Sequence, residues 1–247
     1  MNVEMYRLFF DIQKKHWWFA TKKSIVMDAI KRRINLDKSQ AVLDIGCGSG
    51  LMLNDLGLLA KVSGMDVSKD AIQFSKEIFN GEIKQGALPD KIPFKAESFD
   101  VITALDVIEH IVDDVESLKS IRNLLKDNGM AIITVPAYMF LWSPFDDINE
   151  HKRRYTLSEL RDKLCLSGFY IEKLSYFNTL LFPVVFLIRK LKKITGDDAY
   201  SDIKMPIKQI NYLLQKIFGV EKFLLRRCNL PFGVSILAIV RKHNINS

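Results

Sequence analysis

Three groups of residues in this chain have the types and spacing to do chemistry. The first is Asp44-Ile-Gly-Cys-Gly-Ser-Gly50, where an apolar run enters a glycine-rich turn that heads toward a helix. Glycine adopts backbone conformations closed to residues with a Cβ and lets a ligand approach the main chain. A dinucleotide site would need G-x-G-x-x-G, and Leu51 occupies the last position of that pattern. A plain tight turn between strand and helix has the same composition. The second is Asp66, placed 18 residues after Gly48. A carboxylate there accepts hydrogen bonds from both hydroxyls of an adenosine ribose, each charge-assisted bond worth roughly 1.5–3 kcal/mol. Its competing role is the helix N-cap, which Ser68 also fills. The third group is the pair His110 and His151, whose unperturbed pKa of ~6.5 suits an imidazole to take a proton near neutrality. Their competing roles are a helix-start residue bonded to backbone for His110 and a loop residue holding Glu150 for His151.

Lys152, Arg153 and Arg154 precede Tyr155 and form a run suited to gripping a phosphate or carboxylate, since guanidinium binds such groups bidentately. A solvated charge run reads the same way. Neighbours on a helix point about 100° apart, so Trp17 and Trp18 are expected to divide, one packing inward and one covering a ligand. An aromatic staple between the first helices and the sheet is the plain alternative.

The elements that must position these groups alternate. Strands are expected at 41–45, 61–66, 82–85, 99–104, 129–135, 170–176 and 234–240, with helical patterns at 69–79 and 113–126 between them. Thr156-Leu-Ser-Glu159 fits a capping box opening a further helix. The pattern is that of an α/β, doubly wound sheet of seven strands. In such sheets the ligand crevice lies at the carboxyl ends of the strands, so the loops Gln85-Gly-Ala-Leu-Pro-Asp90 and Ala104-Leu-Asp-Val-Ile-Glu-His110 should complete the site. Three parts are expected: a helical appendage over 1–36, the core over 37–176 with 231–243, and a helical insertion over 177–230.

Charge divides along the same lines. The net +7 conceals nine basic and four acidic side chains in 1–40, nine and 18 in 41–150, and 18 and seven in 151–247. The acidic middle is the expected catalytic core, and the basic ends flank it. Three scattered cysteines suit neither a disulfide framework nor a zinc site, so a reducing, cytoplasmic setting and no metal are expected. The longest apolar run, 180–188, is short of the ~20 residues that span a bilayer. With the cations after it, that run has the composition of an interfacial element, which implies weak peripheral contact with an anionic membrane at its inner face or with a lipid-linked substrate.

Taken together, Asp44-Ile-Gly-Cys-Gly-Ser-Gly50, Asp66, Ile92-Pro-Phe94 before Ser98-Phe-Asp100, and Asp106-Val-Ile-Glu-His110 resemble a class I S-adenosylmethionine-dependent methyltransferase. The resemblance covers 41–176 and the final strand, and it implies a Rossmann-like sheet, mostly parallel with the last strand antiparallel. It implies S-adenosylmethionine as cofactor, with S-adenosylhomocysteine as product. It places Asp44, Gly46, Cys47, Gly48 and Gly50 at the methionine part, Met65 and Asp66 at the ribose, and Gly86, Ala87 and Leu88 beside the adenine, with Leu105 and Asp106 completing the site. Many members carry an acid in the adenine loop, and Gly86-Ala-Leu-Pro89 has none, which leaves backbone groups or Asp90. His16-Trp-Trp-Phe19, Asn149-Glu-His-Lys-Arg-Arg-Tyr155 and Ser175-Tyr-Phe-Asn178 resemble a subgroup often encoded with surface-glycan biosynthesis genes. The expected function is methyl transfer to a small-molecule, glycan or lipid-linked acceptor at oxygen. His110 and His151 are the candidate catalytic groups, and Trp17, Trp18, Arg153, Arg154 and Tyr155 the candidate acceptor contacts. A cofactor-binding module without turnover is one rival. A nucleic-acid methyltransferase is the other, disfavoured because no Asn-Pro-Pro-Tyr-type motif is present.

Overall fold

Strands covered on both faces have no solvent side toward which to alternate, so their sequences are continuously apolar. Seven strands form one sheet in a computed structural model that describes residues 3–195 and 204–243. They are β1 (Ala41–Ile45), β2 (Lys61–Asp66), β3 (Glu82–Gln85), β4 (Phe99–Leu105), β5 (Leu125–Pro136), β6 (Tyr170–Phe177) and β7 (Ser235–Arg241), in the order β3-β2-β1-β4-β5-β7-β6. The first five are parallel, and β7 runs antiparallel to both β5 and β6, as the family resemblance implies.

Nine helices are seen among the described residues: α1 (Val3–Lys15), α2 (Trp17–Lys31), α3 (Leu53–Gly57), α4 (Lys69–Ile78), α5 (Asp114–Leu124), α6 (Pro144–Ile148), α7 (Leu157–Leu166), α8 (Phe182–Thr195) and α9 (Lys208–Leu225). On one face of the sheet Leu118, Ile121 and Leu124 of α5 and Leu160 and Leu164 of α7 pack on Leu43, Ile102 and Ile133. On the other, Ile25 and Ile30 of α2, Leu53 and Leu56 of α3 and Phe218 of α9 pack on Val42, Val101 and Ile132. Adjacent strand residues divide between the two clusters because strand side chains alternate with period two.

The first segment and the insertion meet each other as well as the sheet. Trp17 N donates to Asn211 Oδ1 at 2.9 Å, and Asn211 Nδ2 donates to Lys15 O at 2.8 Å. Arg226 Nε reaches Asp28 Oδ2 at 3.0 Å. Part of the insertion expected over 177–230, residues 196–203, lies outside the described residues.

Local signals behave as their chemistry requires. Ser68 caps α4 by accepting from Ala71 N at 3.2 Å, and both halves of the Thr156/Glu159 capping box form. One boundary differs from expectation: α5 stops at Leu124 instead of reaching residue 126. Leu125 already pairs with Phe99, so the ladder claims the main chain before the helical pattern runs out.

Candidate active site

The turn after β1 is held by the neighbouring strand. Gly46 N and Cys47 N both donate to Met65 O, at 2.7 and 3.1 Å. Gly46 has φ +67°, and a Cβ there would stand 2.6 Å from Val107 Cγ2, so both conformation and space require glycine. Asp66 ties the turn to α4: its Oδ2 accepts from Gly48 N at 2.8 Å and its Oδ1 from Ser68 N at 2.9 Å. Asp66 therefore shares the helix-start role with Ser68 while standing at the end of β2. Met65 is fully buried beneath the turn.

The acidic groups around the turn are settled differently. Asp44 is buried and accepts from Thr103 Oγ1 at 2.6 Å. Burial first, and then the nearby Asp66 charge, push its pKa up to about 7 despite the Thr103 hydrogen bond. The Cys47 thiol is also pushed up by burial and by Asp44 and Asp66, which removes it as a nucleophile. Asp106 (φ +55°) accepts from Thr134 Oγ1 at 2.8 Å and pairs with Lys22 Nζ of α2. Burial opposes the Asp106 charge, but Lys22 and Thr134 outweigh it and hold the carboxyl below its usual range.

From this turn a cavity of about 480 Å³ runs to the loops after β4 and β5. That is within the common range of small-molecule sites, roughly 300–1,000 Å³. Asp44, Gly46, Cys47, Gly48, Leu105 and Asp106 line one end, and Glu109, His110 and His151 the other. Trp17, Trp18, Val185, Ile188 and Leu214 supply apolar wall. Trp18 stacks on Phe218 at 5.3 Å and on Phe177 at 5.9 Å between centroids, while Trp17 meets Trp18 and Phe218 edge-on. Both indoles pack against the same buried cluster and both border the cavity, so the expected division between core and ligand does not occur.

The far end is built by two loops. His110 closes a 3-10 turn, Ile108–His110, and its ring lies 4.6 Å from that of His151 and nearly perpendicular to it. Burial, and then the neighbouring His151, lower the His110 pKa. His151 Nδ1 pairs with Asp146 Oδ1 at 2.8 Å rather than holding Glu150. Asp146 is completely buried and also accepts Arg154 Nε and Nη2, at 2.9 and 2.8 Å, and Ser143 N at 2.8 Å. Burial opposes its ionisation, yet His151 and Arg154 overcome that and hold its carboxyl below the usual range. A further bond, Lys152 N to Glu109 O at 2.7 Å, locks the two loops together.

The two arginines of the basic run are spent internally. Arg153 Nη1 donates to Asp114 Oδ2 at 2.8 Å, and Tyr155 Oη donates to the same oxygen at 2.9 Å. Arg153 and Tyr155 do not line the cavity; Arg154 does, with its guanidinium clamped on Asp146. The run is thus a brace for the loop after β5, in place of the expected grip on an anion. Gly50, Met65 and Asp66 likewise lie outside the cavity lining, as do Gly86, Ala87 and Leu88. Their loop folds tightly, with Ala87 and Lys91 exchanging backbone hydrogen bonds at 2.8 and 2.9 Å, and Asp90 is exposed. The sequence reading passed over Lys22, Glu109 and Asp146. Only Glu109 carried a local signal, its position between Ile108 and His110 in the loop after a candidate strand.

These features agree with comparisons to known proteins. The model of a methyltransferase-domain family matches residues 18–174. A ubiquinone biosynthesis O-methyltransferase of Glaesserella parasuis is 28% identical over 160 residues, which cover 53% of this chain and 66% of that protein. The chain thus spans just under two thirds of that relative's length. The complex of the Haloferax volcanii Trm112 methyltransferase activator with a protein designated a methyltransferase superposes with a TM-score of 0.64 at 17% identity, covering 95% of this chain and 93% of that one. Phosphoethanolamine N-methyltransferase 2 of Haemonchus contortus, in complex with S-adenosyl-L-methionine, gives 0.59 at 16% identity over 90% of this chain and 52% of that one. The glycine turn after β1, the β2 carboxylate and the family match over well more than half of the chain lead to one assignment: the chain belongs to the methyltransferase-domain family, with the fold of the class I S-adenosylmethionine-dependent enzymes.

Proposed function

We propose that the protein transfers a methyl group from S-adenosylmethionine to a hydroxyl oxygen of a small or lipid-linked acceptor. The observation that carries this reading is the single cavity joining the Gly46–Gly50 turn to the His110/His151 pair. S-adenosylmethionine, when bound, supplies a methyl on a sulfonium whose leaving group is a neutral thioether. The protein's task is therefore to align the nucleophile and manage its proton.

Residues at the turn end fit a zwitterionic amino-acid moiety. Asp44 and Asp106 in the lining suit an ammonium, Lys22 suits a carboxylate, and Asp66, outside the lining at the end of β2, suits the ribose diol. The backbone around Gly86, Ala87 and Leu88 is the proposed border of the adenine. At the far end His110 and His151 meet the acceptor hydroxyl, with Asp146 and Arg154 fixing the orientation of His151. Trp17 and Trp18 form the wall between the two ligands.

The acceptor enters past α8. Val185 and Ile188 of α8 border the cavity, while Val184, Leu187 and Leu191 of the same helix are exposed, with Lys190 beside them. No helix among the described residues is long and apolar enough to cross a membrane, so contact there is peripheral. Liposome co-sedimentation tests this arm: more protein with anionic than with neutral vesicles is expected, and equal recovery in both supernatants removes it. Calorimetric titration with S-adenosylhomocysteine tests the reading itself. One-site binding is expected, weakened by roughly 1.5–3 kcal/mol, about 10- to 100-fold, in Asp66→Ala. No binding heat, or binding indifferent to Asp66→Ala, would sink it.

A further inference from the structure

Glu109 is completely buried, and neither of its carboxylate oxygens has a hydrogen-bond partner. Among the described residues no other carboxyl group has both oxygens in that condition. Glu221, the other carboxylate with a buried orphan oxygen, uses its second oxygen to accept Leu180 N at 2.8 Å. A carboxylate withdrawn from water is costly unless it is paired or coordinates a cation. His110 and His151 stand beside Glu109, and one ligand atom from each of the three falls within 4.8 Å of the others. Three donors at ~2.1 Å from one tetrahedral ion lie about 3.4 Å from one another, so side-chain shifts on the order of an ångström complete the arrangement.

We infer that Glu109, His110 and His151 form a divalent-cation site at the acceptor end of the cleft. The surroundings are those of a metal ligand set. The Asp146 hydrogen bond to His151 Nδ1 directs the lone pair of Nε2 toward the cluster, the carboxylate–histidine support common behind metal-bound imidazoles. Arg154 neutralises Asp146, and Lys22 pairs with Asp106, so Glu109 is the carboxylate left to balance an added cation. Two imidazoles and one carboxylate suit a borderline ion such as Zn²⁺ or Mn²⁺ and leave coordination positions open to the cavity. Cysteine spacing gave no sign of such a site because its donors come from two loops and include no thiol.

The role of the ion, though not its binding, rests on the methyl-transfer reading. An acceptor hydroxyl taking an open position loses its proton to solvent more readily next to the cation. Its oxygen then forms the O–CH₃ bond as the C–S bond breaks. The sulfonium becomes a neutral thioether, and one proton is released per methyl transferred. On this account the histidines act through the ion and do not themselves take the proton.

The test uses the full-length chain, stripped with EDTA, returned to chelator-free buffer and titrated with MnCl₂ or, in a second arm, ZnCl₂, then with S-adenosylhomocysteine. One ion per chain is expected, bound at least tenfold more weakly by Glu109→Gln and by His151→Ala. Retained S-adenosylhomocysteine binding shows that each variant is folded. Glu109→Gln keeps the shape of the side chain and removes only its charge. Absence of saturable binding of either ion, or binding unchanged in Glu109→Gln, overturns the site. If the ion binds but S-adenosylhomocysteine does not, the methyl-transfer reading fails and the site stands; the reverse outcome leaves the histidines as direct proton acceptors.

Discussion

The two ends of the cleft treat buried charge in opposite ways. At the turn end Asp44, Asp66 and Asp106 each have a protein donor, from Thr103, from two backbone N–H groups, and from Thr134 with Lys22. At the acceptor end Asp146 is saturated by His151, Arg154 and Ser143, whereas Glu109, one loop away, has nothing. A satisfied carboxylate holds the fold in one shape before any ligand arrives. An unsatisfied one stores a demand that only a ligand or a proton meets. The contrast marks the turn end as a preformed seat and the Glu109 end as a place still missing a partner.

That contrast can be broken first at Arg154. Arg154→Met leaves Asp146 buried with His151 and Ser143 but without its guanidinium partner, and a loss of about 3–5 kcal/mol in denaturant unfolding is expected; a loss below about 1 kcal/mol would mean that Asp146 is not held as described. At the seat, Lys22→Met removes the cationic partner of Asp106 but leaves Thr134, and a smaller loss of about 1–3 kcal/mol is expected in the same measurement. An unchanged midpoint would show that the pair is not formed in solution. The Asp44 carboxyl sharpens the comparison through pH. Its folded pKa of about 7 lies above its unfolded value, so the folded state binds the extra proton and stability falls as pH rises from about 4 to 7. Asp44→Asn should therefore gain on the wild type between pH 4.5 and 8 in parallel unfolding curves, and parallel behaviour at both pH values would refute the shift. The smallest effect is expected for Glu109→Gln in the metal-free chain, where burial pushes the Glu109 carboxyl well above its usual range, so an uncharged amide replaces an uncharged acid and the unfolding midpoint near neutral pH barely moves. A clear drop would show that Glu109 has a partner in the fold.

How much of this the sequence reveals follows from the range of the interactions. The β1 turn, Asp66 and the succession of strands are written in short segments, since a strand, its turn and the next strand's acid obey local periodicity and backbone rules. Lys22 and Asp106 meet across 84 residues, and no local pattern announces that contact. Arg153, Arg154 and Tyr155 show the converse failure. Three polar neighbours look like one grip, yet the loop turns two of them onto Asp114 and the third onto Asp146. Glu109 was in plain view beside His110, but that it lacks a partner is a property of everything packed around it and cannot be read from its neighbours in the chain.

The central claim is that one cleft holds the methyl donor at the glycine turn and presents its sulfur to the Glu109, His110 and His151 cluster. A crystal structure of the full chain with S-adenosylhomocysteine tests it most directly. The account predicts ribose hydroxyls on Asp66, the amino-acid moiety between Asp44, Asp106 and Lys22, and the sulfur facing the histidine pair across the open part of the cavity. Ligand bound with its sulfur turned away from His110 and His151, or seated outside the Gly46–Gly50 turn, would contradict it.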